Sequence, residues 1–235
     1  MQEKKENKIV VILQPAYLPW IGFFDQLNRC DSFIFFDEAQ YTKNSWRNRN
    51  RIKTKDGWTW LTVHVHYQFT EQKIKDIKID NTQKWASRHW NLIKQNYSEA
   101  PYFELHQKFF ADLYKKEWLW LCDLNLEIIN YCATTLKISL NKIVKSSQLT
   151  ITPTNDVNQK NISYIKKVNG NIFLEGDLGK QIFDEKKFSD AGIKITYHAY
   201  KHPPYQQLHK PFIPYLSVIY LLFNEGPNSL NIINN

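Results

Sequence analysis

The chain has 235 residues, of which 43% are hydrophobic and 23% charged, a balance that excludes an extended disordered polypeptide. The excess of 31 Lys and Arg over 23 Asp and Glu leaves a formal charge of +8, which suits a phosphate-bearing small molecule, nucleic acid or an acidic membrane surface, and which a Lys-, Ile- and Asn-rich composition explains equally well. Cys30, Cys122 and Cys132 lack CxxC spacing, so neither a disulfide framework nor a zinc motif is expected; reduced cytoplasmic thiols fit better, since MQEKKENK has no signal-peptide apolar region and no run approaches the ~20 apolar residues of a spanning helix.

KIVVILQP is a short apolar run rich in β-branched residues, and predicts a strand from Ile9 to Gln14 buried on both faces, as in a parallel sheet. Pro15 stops it. Trp20–Cys30 reads as a helix and DSFIFFDEAQ as a second strand, which together make a βαβ unit. Ligands bind outside the carboxyl ends of strands in such sheets, where Gln14–Trp20 and Asp37–Tyr41 would sit side by side. WRNRNRIK reads as extended, Asp56-Gly57 as a turn, and Trp58–Tyr67 as an alternating strand. Residues 82–137 read as helical, with Trp85, His89, Leu92 and Ile93 at helical spacing and Pro101 opening a new helix. A short strand at Lys142–Lys145, a polar loop at Ser146–Gln159, a helix at Ile162–Val168 and a strand at Asn171–Leu174 follow. GDLGKQIF is then a strand-to-helix turn, Ile193–Tyr200 a strand, HPPYQQLH a rigid loop, Pro214–Phe223 the closing helix and EGPNSLNIINN a polar tail. The sum is an α/β fold with a mainly parallel, Rossmann-like sheet, read as a single domain over residues 1–235 with a helical insertion or cap at 82–137.

Several clusters could carry chemistry. In QPAYLPWIG two prolines stiffen a loop that would hold Gln14, Tyr17 and Trp20 in fixed directions, and Gly22 would admit a ligand or another backbone; the plain alternative is a structural turn with buried aromatics. DEAQYTKNSWRNRNRIK mixes Lys43, Arg47, Arg49, Arg51 and Lys53 with Asn44, Asn48 and Asn50, beside Tyr41 and Trp46. In an extended segment Arg47, Arg49 and Arg51 point to one face, and Trp46, Asn48 and Asn50 to the other. Arginine forks take phosphate or carboxylate and indole stacks on a base or sugar, against the alternative of a solvated basic loop. YKHPPYQQLH presents His202 ahead of two prolines, with His209 further on. Either could move a proton near neutral pH, or merely hydrogen-bond within a turn. Gly176 and Gly179 form only a weak phosphate cradle, without the Walker pattern. Asp37 and Glu175 both end predicted strands, and whether they pair as acid and base stays open. His64 and His66 share a strand face but read as surface histidines; no metal is expected.

QPAYLPWIGFFDQL, DEAQYTKNSWRNRNRIKTKDGWTWLTVHV and HPPYQQLHKPFIPYLSVIYLLFNEGP resemble the WbqC-like proteins, over a span from about Ile9 to Pro227. The resemblance implies a place in bacterial surface-polysaccharide gene clusters, O-antigen synthesis among them, and leaves the reaction and any cofactor undefined. Carried over position by position, it points to Gln14, Pro15, Tyr17, Pro19, Trp20, Asp37, Gln40, Tyr41, Trp46, Arg47, Asn48, Arg49, His202, Pro203, Tyr205, Gln207 and His209. One departure is Glu175-Gly176, where similar sequences tend to have Ser-Gly, so that a carboxylate stands in for a hydroxyl. The expectation is a transferase placing an acyl or aminoacyl group on an amino sugar or nucleotide sugar. Arg47 and Arg49 would hold phosphate, Trp20 or Trp46 would stack, and His202 or His209 would take the amine proton with Asp37 orienting it. A nucleotidyltransferase-like enzyme using ATP is an alternative, though the histidine pair of such enzymes is missing from the first loop. A non-catalytic nucleic-acid-binding protein is another, favoured by WRNRNR and the net charge, with no RNA-binding signature to support it.

Overall fold

The computed structural model describes residues 6–68 and 71–235; residues 1–5, the head of the charged N-terminal stretch, lie outside the described residues. In chain order the elements are β1 (Ile9–Leu13), α1 (Ile21–Arg29), β2 (Ser32–Phe35), β3 (Arg49–Thr54), β4 (Gly57–Thr62), β5 (Val65–His66), β6 (Lys78–Ile79), α2 (Trp85–Tyr97), α3 (Phe103–Lys115), α4 (Leu121–Thr135), β7 (Ile143–Lys145), α5 (Val157–Lys167), β8 (Ile172–Gly176), α6 (Glu185–Asp190), β9 (Lys194–His198), α7 (Val218–Glu225) and α8 (Ser229–Asn234). They fall into two compact units. The first takes the chain up to Gln14, Gln26–Glu38 and Ser139–Lys201; the second takes Pro15–Asp25, Ala39–Ile138 and His202–Asn235.

The first unit carries the expected parallel sheet, five strands in the order β7-β2-β1-β8-β9. All four pairings are parallel, with Val10 beside Ser32 and Phe173, Phe33 beside Ile143, and Phe173 beside Ile195. Val10, Val11, Phe33, Ile34 and Phe35 are fully buried. Each such side chain contributes about 1.5–3 kcal/mol, which is why an unbroken apolar run rather than an alternating one marks these strands. Counted by sequence among its own strands, the sheet runs third, second, first, fourth, fifth. This is the doubly wound, Rossmann-like order, and chain direction across the sheet reverses between β1 and β8. Val10, Ile12 and Ile34 pack with Ile162, Tyr164 and Ile165 of α5 and Phe188 of α6 to form the core. Helix α5 begins at Val157, earlier than the apolar spacing suggests. Asp156 caps it by accepting from the amides of Asn158 (2.8 Å) and Gln159 (3.4 Å), so a polar run that reads as loop is helical.

The second unit holds an antiparallel β3–β4 hairpin, with Arg51 opposite Trp60, Lys53 opposite Trp58 and Thr54 opposite Gly57. Its two-residue turn, Lys55-Asp56, ends on Gly57 at φ 144°, a conformation open to glycine alone at low cost. Strands β5 and β6 form a second short antiparallel pair. The helices expected within 82–137 are α2, α3 and α4. Helix α7 is apolar on all sides and buried from Val218 to Asn224. It starts at Val218 rather than at Pro214, because Tyr215 adopts a positive φ of 58° and the Ser217 hydroxyl caps the Ile219 amide. The tail read as polar coil contains the short helix α8. Among the described residues no helix is long and apolar enough to cross a membrane.

Candidate functional site

Three segments far apart in sequence are stitched together within the second unit. The Tyr17 amide donates to the Trp46 carbonyl (2.9 Å), and the Val218 amide to the Pro19 carbonyl (2.8 Å). The Ser217 amide donates to the Arg51 carbonyl (3.1 Å), and Trp20 pairs with Ser217 in an isolated antiparallel bridge. Asn50 is the central tie. Its buried Nδ2 donates to the carbonyls of Leu18 (2.6 Å) and Tyr17 (3.3 Å), while its Oδ1 accepts from the Arg51 amide (2.7 Å). Leu18 needs such a hold, because its φ of 48° is a left-handed conformation costly for a branched side chain.

Tyr17 is fully buried and serves as a pillar rather than a wall of the site. Its hydroxyl lies 2.8 Å from His89 Nδ1 and 2.6 Å from the Tyr114 hydroxyl. His89 Nε2 lies 3.1 Å from the Thr62 carbonyl, which can only accept. The proton therefore sits on Nε2, Nδ1 accepts from Tyr17, and Tyr17 accepts from Tyr114. Burial pushes the His89 imidazole down to about 3, so it is neutral at pH 7.

Alternation along β3 puts Arg49, Arg51 and Lys53 on one face of the hairpin, and cross-strand pairing adds Trp58 and Trp60 to it. The Arg49 guanidinium lies 4.3 Å from the Trp60 ring centre. The Arg51 guanidinium lies 5.2 Å from Trp58 and 5.8 Å from Trp46. Trp60 stands 5.5 Å from Trp46 and 5.6 Å from Trp58, so cations and indoles alternate across the surface. Trp46 is on the arginine side, opposite to the expectation from strand alternation. It precedes β3 in a turn, where a two-residue period does not apply. Arg47 is also outside the strand, and burial lowers its guanidinium to about 10, which leaves it cationic at neutral pH. Asn48 and Asn50 are buried and structural, Asn48 Nδ2 donating to the Val63 carbonyl (3.0 Å).

The late loop borders this face. Arg51 donates from a terminal nitrogen to the Tyr215 carbonyl (3.2 Å). The Tyr215 ring lies 5.1 Å from His202 and 5.6 Å from Trp20. His202 Nδ1 is 3.0 Å from the Pro203 carbonyl, so Nδ1 carries the proton and Nε2 the lone pair. That Nε2 is buried with no hydrogen-bond partner, and burial lowers the imidazole below its ordinary range. His202 thus has the form of a neutral base. His209 is tied differently: Nε2 donates to the Asn96 carbonyl (3.0 Å) and its amide to the Tyr220 hydroxyl (3.1 Å), which anchors the loop to α2. Gln207 closes the loop by exchanging two hydrogen bonds with the Ile213 backbone, at 2.9 and 3.0 Å. Tyr205 is half-buried, 6.1 Å from the His202 ring, and burial raises its phenol. Gly22 admits no ligand: a Cβ there would collide with the Trp20 indole. Tyr41 is buried against Tyr67, and Gln40 is exposed and bridges to Lys73.

Gln14, Asp37, Glu175 and Gly176 belong to the first unit. Gln14 follows β1, and Glu175 and Gly176 end β8, so these three flank the point where the sheet's winding reverses. Burial pushes the Glu175 carboxyl up to about 7, while the Gly176 amide donates to its Oε1 (3.0 Å). Gly179 is glycine for a packing reason: a Cβ would strike the Glu175 side chain. Asp37 is buried, with Oδ1 accepting from Ser146 Oγ (2.7 Å) and the Ser147 amide (2.9 Å), and Oδ2 from Ser147 Oγ (2.6 Å). Its bonds pin the turn after β7 rather than orient an imidazole. The three cysteines are buried, and burial raises the Cys30 thiol to about 12 and that of Cys132 further.

Comparison with known proteins adds three findings. A family model described as the WbqC-like protein family matches residues 14–232. Over 222 residues the chain is 35% identical to the uncharacterized protein Rv1507c of Mycobacterium tuberculosis (strain ATCC 25618 / H37Rv), an alignment covering 93% of this chain and 94% of that protein. No solved structure matches.

Proposed function

Because the chain belongs to the WbqC-like protein family, we propose that it is a transferase of bacterial surface-polysaccharide assembly that binds a nucleotide sugar on the arginine–tryptophan face and acylates or aminoacylates its amino sugar. The observation that carries this reading is the joining of that face to His202 through Tyr215, whose carbonyl takes an Arg51 hydrogen bond and whose ring lies against the imidazole. Guanidinium groups stacked on indoles keep their edges for phosphate oxygens, and an exposed indole offers a surface for a base or sugar. His202 Nε2 would accept the proton that the sugar amine loses as it attacks the carbonyl of an activated acyl donor; the donor's leaving group departs as the C–N bond is made. A thermal-shift screen of nucleotide sugars, ATP, acyl-CoAs and amino acids tests it. A ligand that binds only the folded protein raises Tm, so a saturable rise with a nucleotide sugar, lost in Arg51→Gln, is expected. No rise with any nucleotide sugar would refute the reading.

One observation favours a second reading. Trp46 and Trp58 are 45% and 44% exposed, as the stacking platform of a single-strand binder would be. Oligonucleotide binding that weakens steeply with salt would select that reading over the first.

A further inference from the structure

Lys53 ends the cationic row on β3, opposite Trp58, and its side chain is fully buried. Its Nζ has no hydrogen-bond partner, and among the described residues no carboxylate pairs with it or with Arg49 or Arg51. Arg51 Nε, on the same strand face, is also buried without a partner. A covered ammonium with nothing to receive its three N–H groups is a cost to the folded state. An anion that supplied the acceptor oxygens would offset that cost. Residues 51 and 53 alternate onto one strand face with their Cα atoms roughly 6.6 Å apart, so their long side chains can reach neighbouring phosphate groups of one anion.

Resting on the nucleotide-sugar reading of this face, we propose that Lys53 Nζ and Arg51 Nε together bind the diphosphate of the ligand, one phosphate to each, so that the site selects diphosphate esters over monophosphates. Lys53 is then a binding residue that weakens the empty protein. Burial lowers its ammonium below the ordinary lysine value, in keeping with a charge waiting for a counter-ion.

The test uses the full chain, with inorganic pyrophosphate and orthophosphate as probes in calorimetric titrations, and melting curves without ligand. Wild type should bind pyrophosphate more tightly than orthophosphate. Lys53→Met should lose about tenfold or more in pyrophosphate affinity, the loss of one charge-assisted hydrogen bond, with little change toward orthophosphate. It should also melt higher than wild type when empty. Lys53→Arg, which restores a cation, should recover pyrophosphate binding, and serves should the methionine variant fold poorly. Full pyrophosphate affinity in Lys53→Met, with Arg51→Gln still impaired, would overturn the role of Lys53 and leave the face as the ligand site. No binding of either anion to wild type, or Arg51→Gln binding like wild type, would overturn both.

Discussion

Replacing Asn50 with alanine severs the tie between the proline loop and the arginine strand. The side chain donates to two carbonyls, at 2.6 and 3.3 Å, and accepts from one amide at 2.7 Å, all inside a buried setting. A typical net hydrogen bond is worth about 0.5–1.5 kcal/mol, and a buried group left without its partner costs about 1–3 kcal/mol. The Leu18 carbonyl is the group most exposed to that penalty, since Leu18 is fully buried and held at φ 48°. The longer Tyr17 bond contributes less. The sum is a loss of about 2–4 kcal/mol, which at a urea slope of about 2–3 kcal/mol/M lowers the unfolding midpoint by roughly 1 M. Tryptophan fluorescence follows the transition, because Trp20 and Trp46 lie on the two segments the asparagine joins. Anion affinity should fall with stability, since the arginine face loses its fixed border. A midpoint within 0.2 M of wild type, by the same slope a change of only about 0.5 kcal/mol, would show that Asn50 does not hold these segments together.

Other outcomes follow from the two histidines. His202→Gln should lower kcat by about 10²–10⁴ with a smaller change in KM, as for removal of a positioned base. Wild-type kcat should rise with pH through a value below the ordinary histidine range and be flat at neutrality, since the lowered imidazole must be unprotonated to work; full activity in the variant would exclude it. His89 titrates near 3 folded against 6.5 unfolded, so between those values the unfolded chain binds more protons. Its contribution is complete above pH 6.5 and is lost as pH falls toward 3, on the order of 5 kcal/mol at most. The acid limb of stability, followed by urea midpoints from pH 7 to 4, should be shallower in His89→Gln than in wild type, and parallel curves would contradict the neutral buried imidazole.

Much of the first unit is legible in the chain. Continuous apolar runs such as VVIL and FIFF read as buried parallel strands because burial on both faces leaves no polar alternation to confuse with anything else. Helix α5 is less legible, because its first turn is polar and owes its helicity to the Asp156 cap. In the second unit the candidate clusters are visible but their roles are not. The asparagines of WRNRNR and the tyrosine of QPAYLPW look like ligand contacts and are instead interior ties, since sequence shows residue type but not which backbone carbonyl a side chain meets. Trp58, Trp60 and Tyr215 do not stand out as site residues in the sequence, and Lys53 stands out only as one cation of a basic cluster. For the two tryptophans and the lysine a signal exists: a two-residue turn ending on Gly57 pairs RNRIKT with GWTWLT and places alternating cations and indoles on one face. Tyr215 carries no such signal, because its placement depends on a positive φ next to a proline.

Where a nucleotide sugar binds decides the proposed function. A crystal structure of the chain soaked with a uridine-diphosphate amino sugar measures this directly. The diphosphate should lie against Arg49, Arg51 and Lys53, with the sugar amine within hydrogen-bond reach of His202 Nε2. A ligand seated instead at the Gln14–Gly176 edge of the parallel sheet, with the arginine–tryptophan face empty, would contradict it.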